Sequence, residues 1–210
     1  MYRLLTILQC LAQTPEQVLS IQIGHPQAKL PVYMYISFTC THCADFFTCI
    51  LPNLHSFLEE RDIVFFMRLG SFTSVDPLIA YGFSFVPSSK YLSTLKEFFA
   101  QQEKIIIYAE NRLDYVETSK RIVEFFKDHG VTFPEKFRVN SKGIVCEEPI
   151  KDYERHMIEN SSVILQGKVL AFPSLFLKKN PQSDPSRKAI KIPENLGEWK
   201  DLIQSHGRKA

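Results

Sequence analysis

The apolar run Val32-Tyr33-Met34-Tyr35-Ile36-Ser37-Phe38 leads into Cys40-Thr41-His42-Cys43. A helical pattern follows, and then a second apolar run, Ile63-Val64-Phe65-Phe66-Met67-Arg68-Leu69. Segments apolar at successive positions bury both faces and suit the central strands of a sheet. Two such strands joined through a helix make a β-α-β unit, whose crossover is right-handed. The chain is thereby constrained to an α/β fold with a dithiol at a strand-to-helix junction. The segment from Val18 to Ile23 alternates in polarity and predicts a further, half-buried strand pairing with the one from Val32 to Phe38 in one sheet.

A C-x-x-C pair occurs by chance and in zinc sites, so its context gives it meaning. At a helix start, unpaired backbone N–H groups and the positive end of the helix dipole favour a thiolate on Cys40. Such stabilisation lowers the thiol pKa, and the thiolate is the reactive species. A protonated His42 adds a second positive charge near the same sulfur. Both effects favour the reduced dithiol over the disulfide, which makes the pair oxidising. Cys40 and Cys43 are therefore the candidate catalytic residues, and Thr41 and His42 the candidates that tune them.

The helix after the dithiol is predicted from about Cys40 to Glu60, with Phe46, Phe47, Ile50, Leu51, Leu54, Phe57 and Leu58 at helical spacing and a kink at Pro52. Cys49 falls among these apolar residues and is expected to pack as a small hydrophobe. From Gly70 to roughly Gly167 the periodicity is mostly helical, over Tyr91 to Gln102, Leu113 to His129 and Asp152 to Asn160, with an inter-helix loop at Gly130 to Phe137. Strands at Ser174 to Leu177 and Ala189 to Ile192 and a helix from about Glu194 to Ser205 close the chain, with Trp199 expected against the sheet.

The segment Val32 to Cys43 resembles the active-site strand and helix start of the DsbA-like branch of the thioredoxin superfamily. The resemblance spans about Val18 to Ser205. It implies a thioredoxin-like α/β fold with a helical domain inserted between a β-α-β half and a β-β-α half: residues 18–69, an insertion at 70–167, and 168–206. That branch commonly carries C-P-H-C; here Thr41 replaces the proline and His42 is kept. The branch often has a buried acid six residues before the first cysteine, where this chain has Met34, so a proton acceptor for Cys43 is missing or lies elsewhere. The resemblance also implies a cis-proline loop facing the dithiol, for which Leu170-Ala171-Phe172-Pro173-Ser174 is the candidate. A cis-Pro leaves the preceding backbone free to pair with an extended substrate, so Phe172 and Pro173 are the substrate-binding candidates. Relatives usually have a smaller residue than Phe172 there. The ordinary alternative is a trans proline at a strand start.

With 210 residues and 45% hydrophobic content, one substantial core is possible. A net charge of +2 gives no field suited to nucleic acid or an anionic membrane. Arg3 followed by the apolar stretch Leu4 to Leu11 reads as a short signal peptide over residues 1–12, cleaved after Ala12, and far below a membrane span. The alternatives are a retained amphipathic helix and, less well supported because Gln9 precedes it, lipidation at Cys10. The dithiol chemistry favours a periplasmic or otherwise extracytoplasmic compartment. Cys146 could bridge to Cys49, but sequence fixes no Cα separation. His25, His55, His129, His156 and His206 show no spacing with a nucleophile or a carboxylate pair.

The mechanism implied is thiol–disulfide exchange: a client thiolate attacks Cys40, a mixed disulfide forms beside Phe172 and Pro173, and a second client thiolate displaces Cys40. The partners implied are reduced client proteins or peptides and, by the resemblance, a membrane DsbB-like, quinone-linked oxidase. A monomer is expected, and no metal, nucleotide or flavin is implied. The rival readings are a thioredoxin-like reductase or isomerase, a redox-inert client-binding module, and a zinc site drawn from Cys40, His42, Cys43, Cys49 and His55. The zinc site lacks a second ligand pair at tetrahedral spacing.

Overall fold

The computed structural model describes residues 14–24, 27–28, 30–54, 63–110, 112–134, 139–140, 143–144, 148–166, 172–177 and 193–207. The expected signal segment, Cys10, His25, His55, Cys146 and the strand Ala189 to Ile192 lie outside them. In chain order the elements are α1 (Pro15–Leu19), β1 (Ser20–Gly24), β2 (Leu30–Ile36), α2 (Thr41–Asp45) running into a π-helical turn (Phe46–Ile50), β3 (Ile63–Leu69), α3 (Asp76–Phe83), α4 (Ser88–Ala100), α5 (Gln102–Ile105), β4 (Tyr108–Ala109), β5 (Arg112–Leu113), α6 (Tyr115–Asp128), β6 (Val139–Asn140), β7 (Gly143–Ile144), α7 (Glu148–Gln166), β8 (Ser174–Leu177) and α8 (Leu196–Gly207).

The sheet has the order β1-β3-β2-β8. β2 and β3 are parallel, in register from Leu30 against Ile63 to Ile36 against Leu69, as a β-α-β unit requires. The first strand differs from expectation twice. Val18 and Leu19 are helical, because Thr14 and Gln17 form a capping box and Pro15 occupies the first helical position: Thr14 Oγ1 accepts from the Gln17 amide, and Gln17 Oε1 accepts from the Thr14 amide at 2.9 Å. β1 also pairs antiparallel with β3 rather than with β2, since β3 and β8 already occupy both edges of β2.

On one face of the sheet, Met34, Ile36, Phe65 and Met67 pack with Phe46, Phe47 and Trp199. Trp199 lies 5.2 Å from Phe46 and 5.9 Å from Phe65 between ring centroids, which seats α8 on the sheet. The same core runs without interruption into the inserted helices. Phe38, just past β2, stacks on Phe83 of α3 at 5.3 Å and meets Phe98 of α4 edge-on, while Phe47 stacks on Phe99 at 4.5 Å. Burying aromatic rings on this scale joins the insertion to the sheet.

The insertion is less purely helical than its periodicity predicts. Two short ladders, β4–β5 and β6–β7, interrupt it. α6 starts at Tyr115 rather than Leu113 because Asp114 caps it, accepting from the Glu117 amide at 3.0 Å. α3 carries no amphipathic signal at all, being buried at all eight positions.

After the dithiol, the helix does not continue as a plain α-helix towards Pro52. It widens into the π-turn, where the Leu51 amide bonds the Phe46 carbonyl five residues back. The wider turn rotates Cys49 outward, so this thiol is exposed and not packed among its apolar neighbours as expected.

Candidate active site

Cys40 is the N-cap of α2, in extended conformation, and its carbonyl accepts from the Cys43 and Ala44 amides at 3.1 Å each. Its own sulfur, half-buried, faces the start of the helix. Cys43, one turn in, is wholly buried. The pair is electrostatically lopsided. A hydrogen bond from the Cys43 thiol does most to lower the Cys40 pKa, to about 7 against an ordinary 9.0; the Cys43 and His42 amides and the His42 charge add to it, and burial opposes it. Burial chiefly pushes the Cys43 thiol well above its ordinary value, and the neighbouring Cys40 pushes it further. One sulfur is thus poised as a thiolate and the other as its proton-bearing partner.

The amides expected from the helix start do act on Cys40, and the Cys43 thiol, to which the sequence assigned no weight, acts more strongly. His42 is largely exposed and lies 3.8 Å from Asp45, a solvated pair worth little to stability. Thr41 is exposed beside it.

Pairing of β8 with β2, ending at Tyr35 against Ser174, carries the segment before β8 alongside the end of β2 and the dithiol. The Phe172–Pro173 peptide is cis, and the Cys40 thiol donates to the Phe172 carbonyl at 3.1 Å. The Phe172 ring lies over Gly70, where a Cβ would come within 2.7 Å of it, and edge-on to Phe72, whose side chain is 61% exposed. Glycine at position 70 is what admits so large a residue before the proline. Beside this loop opens a cavity of about 440 Å³ with an apolar wall of Phe46, Ile50, Phe172, Pro173 and Trp199 and polar groups from His42 and Asp45.

Two further residues reach the site from the insertion, and sequence reasoning missed both. Gln102, at the start of α5 and buried, donates to the Phe38 carbonyl at 2.7 Å and the Cys40 carbonyl at 3.1 Å, fixing the turn that presents the dithiol. Asp76, first residue of α3 and fully buried, accepts from the amides of Phe72 (2.8 Å), Thr73 (2.7 Å) and Thr39 (3.2 Å) and from the hydroxyls of Ser37 (3.0 Å) and Thr39 (3.1 Å). Burial chiefly raises its pKa, and these donors restrain the rise. The available signal was Asp76-Pro77, an acid followed by proline at a helix start. Met34, at the position where a buried acid was sought, packs in the core.

Among the described residues no three His, Cys, Asp or Glu side chains group as a metal site. Cys43 points into the core and Cys49 outward, so they do not converge. No helix among the described residues is long and apolar enough to cross a membrane.

The sequence model of the thioredoxin family matches residues 16–131, more than half of the chain. The chain belongs to that family. Its architecture is DsbA-like. A protein-disulfide isomerase from Novosphingobium aromaticivorans superposes with a TM-score of 0.60 at 15% identity, covering 94% of this chain and 99% of that one. BdbD from Bacillus subtilis gives 0.57 at 14% identity, with 95% and 98% covered. The α-DsbA1 of Wolbachia pipientis gives 0.59 at 15% identity, with 94% and 97% covered. At such identities the likeness establishes the fold. No curated protein matches the sequence. Family membership together with an intact dithiol at the helix start makes the protein a thiol:disulfide oxidoreductase.

Proposed function

We propose that the protein introduces disulfide bonds into exported client proteins through Cys40 and Cys43. A client thiolate attacks Cys40 in the Cys40–Cys43 disulfide, and Cys43 leaves with the electron pair. The client is then held as a mixed disulfide on Cys40, its backbone along Phe172 and Pro173 and a neighbouring side chain in the apolar cavity. A second client thiolate displaces Cys40, which leaves readily because its thiolate is stabilised. Thr41 and His42 tune this leaving group from the exposed edge of the helix.

The observation that carries the reading is the lopsided pair: Cys40 half-buried and lowered to about 7, and Cys43 raised and wholly buried. Reoxidation calls for an electron acceptor, read here as a DsbB-like membrane oxidase, and the chemistry suits a periplasmic or other extracytoplasmic compartment in which the protein works as a monomer. The test is stoichiometric. Oxidised protein is mixed with a reduced peptide carrying two thiols. The expected result is one peptide disulfide formed for each Cys40–Cys43 pair reduced, and a peptide that stays reduced contradicts the reading.

One observation favours a second direction. A Cys40 pKa near ambient pH is the value at which a thiol attacks disulfides most effectively. Reductase or isomerase work would then appear as reduction of insulin or repair of a scrambled client by the reduced protein.

A further inference from the structure

His129 caps the end of α6 with both of its ring nitrogens bonded. Nδ1 lies 2.7 Å from the Phe125 carbonyl one turn back, and Nε2 lies 3.0 Å from Glu97 Oε2 on α4. A carbonyl oxygen and a carboxylate only accept, so both nitrogens must donate, and only the imidazolium carries two N–H groups. The ring is 19% exposed and lies 4.2 Å from the Phe125 ring, which meets Phe98 of α4 edge-on at 5.3 Å. The contact therefore sits on the seam between α4 and α6. Burial pulls the His129 pKa down; the bonds to Glu97 and to the Phe125 carbonyl, with the charges of Glu97 on α4 and Asp128 on α6, outweigh it and leave the pKa raised above its ordinary 6.5.

The same carboxylate continues towards the dithiol. Glu97 Oε1 accepts from the Gln101 side-chain amide at 3.1 Å. Gln101 is the joint between two helices: its backbone N–H donates to the Glu97 and Phe98 carbonyls at the end of α4, and its carbonyl accepts from the Lys104 and Ile105 amides of α5. The next residue, Gln102, donates to the carbonyls of Phe38 and Cys40. A bonded path thus runs from the end of α6 to the turn that presents Cys40.

We propose that His129 is a positioning residue for Cys40, acting through Glu97, Gln101 and Gln102 as a latch that a proton closes and rising pH opens. The inference rests on Cys40–Cys43 exchange as described above and adds its regulation. With the imidazolium in place, Glu97 is held between Gln101 and α6, the joint between α4 and α5 is fixed, and Gln102 keeps the Cys40 carbonyl. Loss of the proton leaves one N–H for two acceptors, so one bond is given up. Folding raises the pKa of the ring, so the hold is complete below the unfolded value and is lost as the pH rises through the folded one. The Glu97 side chain is 52% exposed and water screens the pair, which makes the response graded and small.

The test uses the oxidised protein, in which neither Cys40 nor Cys43 titrates. NMR follows the His129 ring and the Gln102 side-chain amide from about pH 5 to about pH 9, a range that spans the imidazole titration, in the wild type and in Glu97→Gln. The rate at which glutathione opens the Cys40–Cys43 disulfide, counted per glutathione thiolate, is measured on the same samples. In the wild type the Gln102 signals are expected to move with the midpoint of the His129 ring, and the rate to fall about two- to fivefold as the pH rises through it, the size of a screened ion pair. In Glu97→Gln the ring still titrates, with a lower midpoint, while the Gln102 signals and the rate lose that step. Gln102 signals or a rate that stay flat in the wild type overturn the proposal. A Glu97→Gln protein that is slower at every pH but keeps the step would mean a purely structural role and overturns it too. Should Glu97→Gln not fold, His129→Gln is expected to give the same flat rate, and a step retained there overturns the latch. If glutathione opens the wild-type disulfide at no pH, the exchange reading fails and the proposal with it; if it opens the disulfide with no step, only the latch fails.

Discussion

The sheet half of the molecule and the inserted helices contribute different things to one site. The sheet half supplies the dithiol, with Cys40 and Cys43 at the start of the helix that follows β2, and β8 brings the Phe172–Pro173 peptide against Cys40. The insertion supplies buried polar groups behind them, Gln102 on the carbonyls of Phe38 and Cys40, and Asp76 on the β2–α2 turn and the loop bearing Phe72. The two share a single hydrophobic core. A dithiol motif on one side therefore depends on polar residues more than thirty positions away in sequence, and a substitution in either half should register in the other.

The largest effect is expected at the sulfur itself. Cys40→Ser should abolish client oxidation, by on the order of 10³-fold or more, with little change in unfolding. Residual turnover above background in the client assay would move the reaction off this pair.

A smaller effect is expected from the insertion. Gln102→Ala leaves the Phe38 carbonyl without its buried donor, while the Cys40 carbonyl keeps the Cys43 and Ala44 amides; it should cost about 1–3 kcal/mol in urea unfolding, and it should also slow alkylation of Cys40 through a loosened turn. A loss within about 0.5 kcal/mol would mean the insertion is a passive cover.

Titration sharpens the same contrast. The folded Cys40 pKa of about 7 lies below its ordinary 9.0, so the reduced protein gains stability that is fully present above about pH 9 and is lost as the pH falls through 7. Cys40 is partly exposed, and screening reduces this to on the order of 1 kcal/mol. Urea midpoints of the reduced protein at pH 6 and pH 9 check it. Oxidised protein, with no thiol to titrate there, should not show this increment.

The smallest effect is expected at Phe72. Phe72→Ala should change stability by no more than about 0.5 kcal/mol, since the ring is largely exposed. It should raise client KM by up to roughly fivefold, about 1 kcal/mol of apolar contact, without moving the Cys40 pKa. An unchanged KM would mean that the exposed ring beside Phe172 does not meet the client.

What was legible in the sequence was local and repeated. Two apolar runs marked the parallel strands, and the position of the dithiol between them marked the helix start. The segment Leu170 to Leu177 could be matched to the loop opposite because it immediately precedes an apolar strand. The rest failed for identifiable reasons. Thr14-x-x-Gln17 is a capping signal that outranks the alternation at Val18 and Leu19, and it was there to be read. Strand order was not: nothing local says that β1 joins β3. The π-turn that exposes Cys49 breaks the periodicity on which its burial was predicted. α3 is apolar nearly throughout, so no helical stripe announced it, and Asp76 went unrecognised with it.

The most direct test of the account is the equilibrium of the Cys40–Cys43 disulfide against a graded series of reduced and oxidised glutathione at pH 7. Reduced glutathione is expected to convert most of the protein to the dithiol under conditions where the glutathione couple itself is poised reducing, placing the pair on the oxidising side of that couple. A disulfide that persists in excess reduced glutathione would place the pair on the reducing side and contradict the assignment as a donor of disulfides.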